Sequence, residues 1–302
     1  MNFSQAHLSA IVAFSMWGLF PLYWKIFSNI GAWDLFGHRL IFSFITLIVF
    51  LGFKGKLGSL KAVWSDKKTR YLLFISALLI SSNWLIYIYA VSIGKVLEAS
   101  MGYFLNPLIN IFVGWLILKE KIRSTQWPSI ILASLSIVLI AFQTDLNSFP
   151  WLALILSITF ALYGLLRKKI QVGALEGLAF ETSVVILPVL LIWPFLDSSP
   201  VTVYQVLPTW KIFALSLSGA ITCLPLVLFA FSAKRLELRT LGFIQYLSPT
   251  FKFICGLFIL HEPLSPEKLQ AFFIIWIALT WYTLESFYFM HRSKKKIVPI
   301  AE

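Results

Sequence analysis

The strongest constraint in this 302-residue chain is the spacing of its apolar residues. They come in blocks of about twenty, the length an α-helix needs to cross a hydrocarbon core of roughly 30 Å. The blocks run over 7–25, 35–53, 71–92, 97–118, 126–143, 150–166, 178–196, 210–232, 238–260 and 268–290. Lipid offers no partners for open backbone groups, so each block must close its hydrogen bonds internally, as helix. A membrane β-barrel would instead show alternating segments of about ten residues, and the sequence has none. Hydrophobic residues make up 59% of the chain and charged residues 13%, far from the balance of a soluble domain. The fold class expected is an all-α polytopic membrane protein with ten transmembrane helices. The first block lacks a basic leader and a small-residue cleavage site, so it reads as a membrane helix rather than a removed signal. Trp33, Trp64, Trp127, Trp151, Trp210 and Trp281 sit at block edges and read as interfacial anchors.

The net charge of +12 would suggest a nucleic-acid partner in a soluble protein. Here the basic residues fall between apolar blocks, so topology explains them better and no nucleic acid is expected. Of the 25 Lys and Arg, 19 lie in alternate loops or the tail: Lys54–Arg70, Lys119–Arg123, Arg167–Lys169, Lys234–Arg239 and Arg292–Lys296. The opposite side keeps Lys25, Lys95, Lys211 and Lys268, while Arg39 and Lys252 lie within or at the edge of blocks. The positive-inside rule then puts both termini in the cytoplasm of a bacterial inner membrane and requires an even number of spans. Cys223 and Cys255 lie inside apolar blocks with no metal or redox spacing, and no disulfide is expected.

Two stretches match at an offset of 142 residues: YFLNPLINIFVGWLILKEK (103–121) and QYLSPTFKFICGLFILHEP (245–263). Leu105, Pro107, Gly114, Leu118 and Glu120 recur as Leu247, Pro249, Gly256, Leu260 and Glu262. Five helices per copy is an odd number, so the second copy must be inverted. Inverted repeats mark transporters whose substrate site lies near the midplane. The expected organisation is a five-helix repeat over 5–143, an inverted one over 150–290 and a basic cytoplasmic tail, 291–302.

Several stretches along the chain resemble one family: WGLFPLYWK (17–25), His38-Arg39, NWLIYIYAV (83–91), LEASMGYFLNPLINI (97–111), YGLLRKKI (163–170), TLGFIQYLSPT (240–250) and FFIIWIALTWY (272–282). In combination they resemble the RarD proteins of the EamA group, within the drug/metabolite transporter superfamily. The resemblance implies ten helices, two EamA repeats, both termini inside and a central cavity between the repeats. It also implies the label of a chloramphenicol-sensitive or chloramphenicol-resistance permease.

Polar residues inside a membrane are costly and mark candidate sites. Tyr103, Asn106 and Asn110 share one helix face by their spacing. Their repeat equivalents Gln245, Ser248 and Lys252 share another. The two stripes either line a shared cavity or hydrogen-bond neighbouring helices. Asn83, with Tyr87 one turn on, joins them as a substrate-binding candidate. Lys252, near mid-helix, calls for an anionic ligand, a proton-coupling role or a carboxylate partner such as Glu181. Arg39 and Glu181, also 142 residues apart, are expected to meet headgroups, loops or water. His38 is expected to be solvated at the interface, and Glu98 to make a local contact with Lys95. Pro107 and Pro249 are the expected hinges. Tyr23, Tyr87, Tyr103, Tyr163 and Tyr246 offer rings and hydroxyls to an amphipathic ligand.

These features point to a secondary active transporter of small metabolites or drugs, working by alternating access as a monomer. The alternative is a gradient-independent facilitator or channel. An enzyme would need a nucleophile–base pair or a metal cluster. His7, His38, His261 and His291 all fall near block ends, and no HExxH or GxSxG occurs. No catalytic residue, metal or cofactor is expected; the partners are a small-molecule substrate and the lipid bilayer.

Overall fold

The computed structural model describes residues 5–119, 122–143, 150–195, 203–205, 207–233, 235 and 244–295. The side chains of Pro107 and Asn110, the residue Glu120 and the tail beyond 295 lie outside the described parts. Among the described residues the regular structure is helical: α1 Gln5–Lys25, α2 Ala32–Phe53, α3 Leu57–Ser65, α4 Lys67–Ser92, α5 Val96–Leu118 and α6 Trp127–Gln143. There follow α7 Trp151–Lys169, α8 Ala174–Ile192, α9 Thr209–Ser216, α10 Ser218–Ala233, α11 Leu247–Ile254 and α12 Pro266–Lys295. Each apolar block is thus helical wherever it is described. Five segments are long and apolar enough to cross a membrane: Gln5–Lys25, Ala32–Phe53, Lys67–Ser92, Leu175–Ile192 and Thr209–Phe229. Shorter apolar helices cover Ser124–Leu139, Trp151–Arg167 and Leu247–Ile259.

Three elements were not legible as such. The basic stretch after α2 holds a short helix, α3, because Leu57, Leu60, Val63 and Trp64 recur at helical spacing. Val63 is buried with Leu73, Ile170 and Phe180, and Trp64 stacks on Phe180 at 4.7 Å. The eighth block is broken at Leu217 into α9 and α10. After α11 the chain widens into a π-helical turn, Cys255–Ile259.

The helix ends have local causes. Asp66 caps α4 by accepting from the Lys68 and Thr69 N–H groups at 3.2 and 3.3 Å. Those bonds and the Thr69 hydroxyl hold its carboxyl below the usual carboxylate range. The α2 and α4 C-termini stop at Gly55 and Gly94, whose φ of 65° and 70° only glycine adopts freely.

Several caps recur at the 142-residue offset. Gly31 and Gly173 cap α2 and α8 with φ,ψ of −57°,143° and −57°,152°. Asp66 and Pro208 occupy the N-caps of α4 and α9. Lys119 and His261, just past the matched apolar stretches, are both left-handed, with φ of 55° and 52°. A non-glycine residue there is uncommon, so its recurrence at equivalent positions is informative.

The chain divides into two compact units: Met1–Tyr103 with Leu152–Glu262, and Phe104–Trp151 with Pro263–Glu302. In the first unit α1 packs on α10 and α11, α2 on α10 and α8, and α4 on α8. Its core is aromatic and aliphatic, with Trp24, Phe27, Leu40 and Trp193 almost wholly buried. Gly219 lets α10 approach α2 closely, since an added Cβ would overlap the Phe42 carbonyl. In the second unit α6 packs along α12. There Phe104, Phe272 and Trp276 make ring contacts at 5.9–6.3 Å. Arg123 forks onto Glu285, Nε to Oε1 at 2.7 Å and Nη2 to Oε2 at 2.8 Å. That carboxylate holds the guanidinium above its ordinary range.

Large apolar side chains such as Ile45, Val49, Leu78, Leu187, Leu191 and Ile277 are exposed, each by more than 50%. Asp34, Arg39, Asn83, Glu181 and Lys252 are buried. A water-soluble protein inverts that order; a bilayer as solvent accounts for it.

Candidate functional site

The polar interior of the first unit is built by α1, α2, α4, α10 and α11 together with the start of α5. On α11, Ser248 and Lys252 share a face, and the Lys252 ammonium donates to Ser248 Oγ at 3.1 Å. The ammonium lies 3.6 Å from the centroid of the Tyr103 ring and 5.2 Å from that of Tyr87. The two rings meet edge to face at 5.9 Å. One turn earlier on α4, Trp84 faces the Arg39 guanidinium at 4.2 Å, and Trp24 of α1 lies 5.2 Å from it. Arg39 Nε donates to Thr222 Oγ1 of α10 at 3.3 Å.

Neither cation has a carboxylate partner among the described residues. Among the described residues, the four buried acids of this unit are engaged elsewhere. Asp34 accepts from Trp193 Nε1 at 2.6 Å. Glu98 accepts from the Leu152 N–H at 2.9 Å and pairs with Lys95 at 3.5 Å. Glu262 accepts from the Val96 and Leu97 N–H groups, both at 2.8 Å, at the open N-terminus of α5. Glu181 accepts from Ser76 Oγ at 2.5 Å and lies 3.6 Å from Arg167 Nη1. A buried unpaired ion costs several kcal/mol. A desolvated aromatic face returns about 2 kcal/mol or more. Two faces per cation return part of that penalty.

Several sequence expectations meet this geometry. Asn83, Tyr87, Tyr103, Ser248 and Lys252 come together. Asn83 is nevertheless occupied: its amide donates to Leu156 O and Thr159 Oγ1, both at 2.8 Å, tying α4 to α7. Its Oδ1 receives a long contact, 3.4 Å, from the Tyr103 hydroxyl. Asn106 falls in the second unit, buried, with Oδ1 lacking a partner among the described residues. Gln245 is half-buried two residues before α11. The Pro249 carbonyl accepts from Ser100 Oγ at 2.7 Å. Tyr23 is committed to the Ala214 carbonyl at 2.7 Å. The Lys95–Glu98 contact forms as expected.

Three expectations need correction. The partner suggested for Lys252, Glu181, is held instead by Ser76 and Arg167. Arg39 is 3% exposed and meets indoles rather than headgroups. His38 is 1% exposed, with Nδ1 2.8 Å from the Asp34 carbonyl oxygen and its ring against Trp193 and Tyr204. Both errors have one cause. The apolar block starting at 35 puts both residues near a helix start and so at an interface, but α2 begins earlier, at Ala32. Trp193 and Tyr204 cover His38, while Trp24, Trp84 and Thr222 surround Arg39. The signal for Arg39 was present as a lone charge in an apolar block. The roles of Trp24, Trp84 and Thr222 carried no signal, because each depends on a contact far along the chain.

Comparison with known proteins agrees with this architecture. Residues 4–142 match the EamA-like transporter family. An uncharacterized transporter of Pseudomonas aeruginosa is 38% identical over 292 residues, covering 96% of this chain and 97% of the relative. The protein RarD of Escherichia coli is 37% identical over 293 residues, covering 96% and 98%. One solved crystal structure shares the fold with a TM-score of 0.62 at 17% identity, covering 93% of this chain and 98% of that one. With this similarity over nearly its whole length, the chain belongs to the RarD-type branch of the EamA-like transporters, multi-pass inner-membrane proteins that carry solutes and are not enzymes.

Proposed function

We propose that this protein is a secondary active transporter of small metabolites or drugs, alternating access around a central site. The observation that carries the reading is the buried cluster of Arg39, Lys252, Tyr87 and Tyr103 within otherwise apolar helices. Groups this costly to bury in a bilayer are kept for a ligand or an ion. The ligand would contact Tyr87, Tyr103, Ser248 and Lys252, with Asn83 orienting Tyr103. Gln245 continues the stripe of Ser248 and Lys252, and Asn106 and Asn110 continue that of Tyr103 along α5 into the second unit. Ten membrane helices form two inverted five-helix repeats, 5–143 and 150–290. The recurrence of capping geometry 142 residues apart supports the repeat. Both termini and the basic tail, 291–302, lie in the cytoplasm. Pro107 and Pro249 act as equivalent hinges, and the π-helical turn after α11 supplies slack beside the second. The energy source is an ion gradient, with protons the first ion to test, and the working unit is a monomer. Chloramphenicol, the solute implied by the family label, is the first to test.

The experiment is solute flux in proteoliposomes with and without an imposed pH gradient. Accumulation that follows the gradient and saturates is the expected result. Saturable flux indifferent to the gradient would leave a facilitator, and non-saturating flux a channel. Lys252→Met and Asn106→Ala are expected to lower flux with membrane insertion intact. Normal flux in both would remove the polar stripes from the site.

A further inference from the structure

Several buried donors around Arg39 and Lys252 are left without an acceptor among the described residues. Arg39 Nη1 lacks a hydrogen-bond partner among the described residues, as do Trp24 Nε1 and the Tyr87 hydroxyl. These side chains are 3%, 1% and 4% exposed. Arginine and indole nitrogens only donate. Lys252 spends one donor on Ser248 and keeps two. The Asn83 carbonyl oxygen is turned to Tyr103. Among the described residues the acids buried in this unit have other partners: Asp34 has Trp193, Glu98 has Lys95 and Leu152, Glu181 has Ser76 and Arg167 through Oε1, and Glu262 has the α5 N-terminus. What Arg39 and Lys252 lack among the described residues is an acceptor carrying negative charge.

The two cations also share a wall. Lys252 lies over Tyr103 and Tyr87, while Arg39 lies over Trp84, one turn before Tyr87 on α4. That turn is about 5 Å of helix rise. Its surroundings are indole and phenol rings, good surfaces for a flat apolar body and poor solvents for a small hydrated ion.

We propose that this cluster is the seat of an organic anion, whose oxyacid group is received by Arg39 and Lys252 and whose aromatic body lies against Trp24, Trp84 and Tyr103. Trp24 Nε1 and the Tyr87 hydroxyl supply further donors to the same group. Thr222 is a positioning residue: its contact with Nε turns the remaining Arg39 donors away from α10. The assignment rests on the reading of this interior as the substrate site, and it narrows the substrates to acids. A neutral solute of the same shape leaves both cations unanswered and is bound weakly.

The test uses the full-length protein purified in detergent, with benzoate, benzamide and acetate as probes of thermal stability. Benzoate is expected to raise the melting temperature, benzamide to leave it unchanged and acetate to act only weakly. Arg39→Gln and Lys252→Met are expected to weaken benzoate binding on the order of 30-fold or more. Arg39→Lys, which keeps the charge, restores part of the response and covers the case in which the glutamine variant does not fold. Equal stabilisation by benzoate and benzamide, or a benzoate response that survives in both variants, overturns the proposal. Flux in proteoliposomes separates this from the transporter reading. Gradient-coupled flux of a neutral solute with no benzoate response sinks the anion site alone. A benzoate response that needs both cations, without gradient-coupled flux of any solute, supports the anion site and sinks the coupled mechanism.

Discussion

The two compact units use arginine in opposite ways. In the second, Arg123 meets Glu285 through two parallel hydrogen bonds, and Thr125 Oγ1 donates to the same carboxylate at 2.7 Å. In the first, Arg39 meets two indoles and one hydroxyl, with no carboxylate among the described residues. Arg123 is also the more exposed, its side chain at 44% against a residue 3% exposed at Arg39. The arginine that most needs a counter-ion is the one without it. Arg123 is thus accounted for by the fold. Arg39 has no such partner among the described residues, which is why it is proposed to meet a ligand.

The sharpest break in the comparison comes from one substitution made at both sites. Arg123→Met strands the Glu285 carboxylate, which is 5% exposed as a side chain. Discounted for the exposure of Arg123, the expected loss is about 2–3 kcal/mol. Arg39→Met strands no carboxylate and replaces a buried ion with an apolar chain of similar length. Its stability is expected to stay within about 1 kcal/mol of the parent, or to rise. Thermal unfolding of the two variants in one detergent decides the matter. Equal losses would mean that Arg39 is a structural cation too.

A middle-sized effect is expected at Gly219. A Cβ there meets the Phe42 carbonyl, so Gly219→Ala forces α10 off α2 and carries Thr222 away from Arg39. Overpacking of this kind costs about 1–3 kcal/mol. Crosslinking across the α2–α10 seam would report the separation. An alanine variant as stable as the parent would show that the seam yields easily and that Thr222 does not depend on it.

The smallest effect is expected at Lys95. Its contact with Glu98 is 3.5 Å long with the lysine side chain 40% exposed, and Glu98 keeps the Leu152 N–H without it. Lys95→Met should change stability by no more than about 0.5 kcal/mol. A larger loss would place that pair with Arg123 rather than among the dispensable surface contacts.

The helices were legible because lipid permits little else. A twenty-residue apolar block has one backbone solution, so its length and composition carry the whole inference. The capping recurrences were only partly legible. The match of Gly114 with Gly256 is visible in the letters, but the left-handed backbone shared by Lys119 and His261 is not, since neither residue type demands it. Glu181 could be flagged as a buried acid, whereas its pairing with Arg167 and Ser76 depends on how α4, α7 and α8 meet.

By itself, the sequence determined that this chain is a helical membrane protein, where its helices lie, and that Arg39 and Lys252 fall in or beside apolar blocks. Those conclusions need only local periodicity and the chemistry of the solvent. The tertiary structure decided that Arg39 lies under indoles rather than at a headgroup, that the buried acids described have other partners, and that Lys252 sits over Tyr103 and Tyr87 while Arg39 faces Trp84 one turn away on α4. Local pattern cannot encode them, because a charge acquires its meaning from the neighbours that distant segments bring to it.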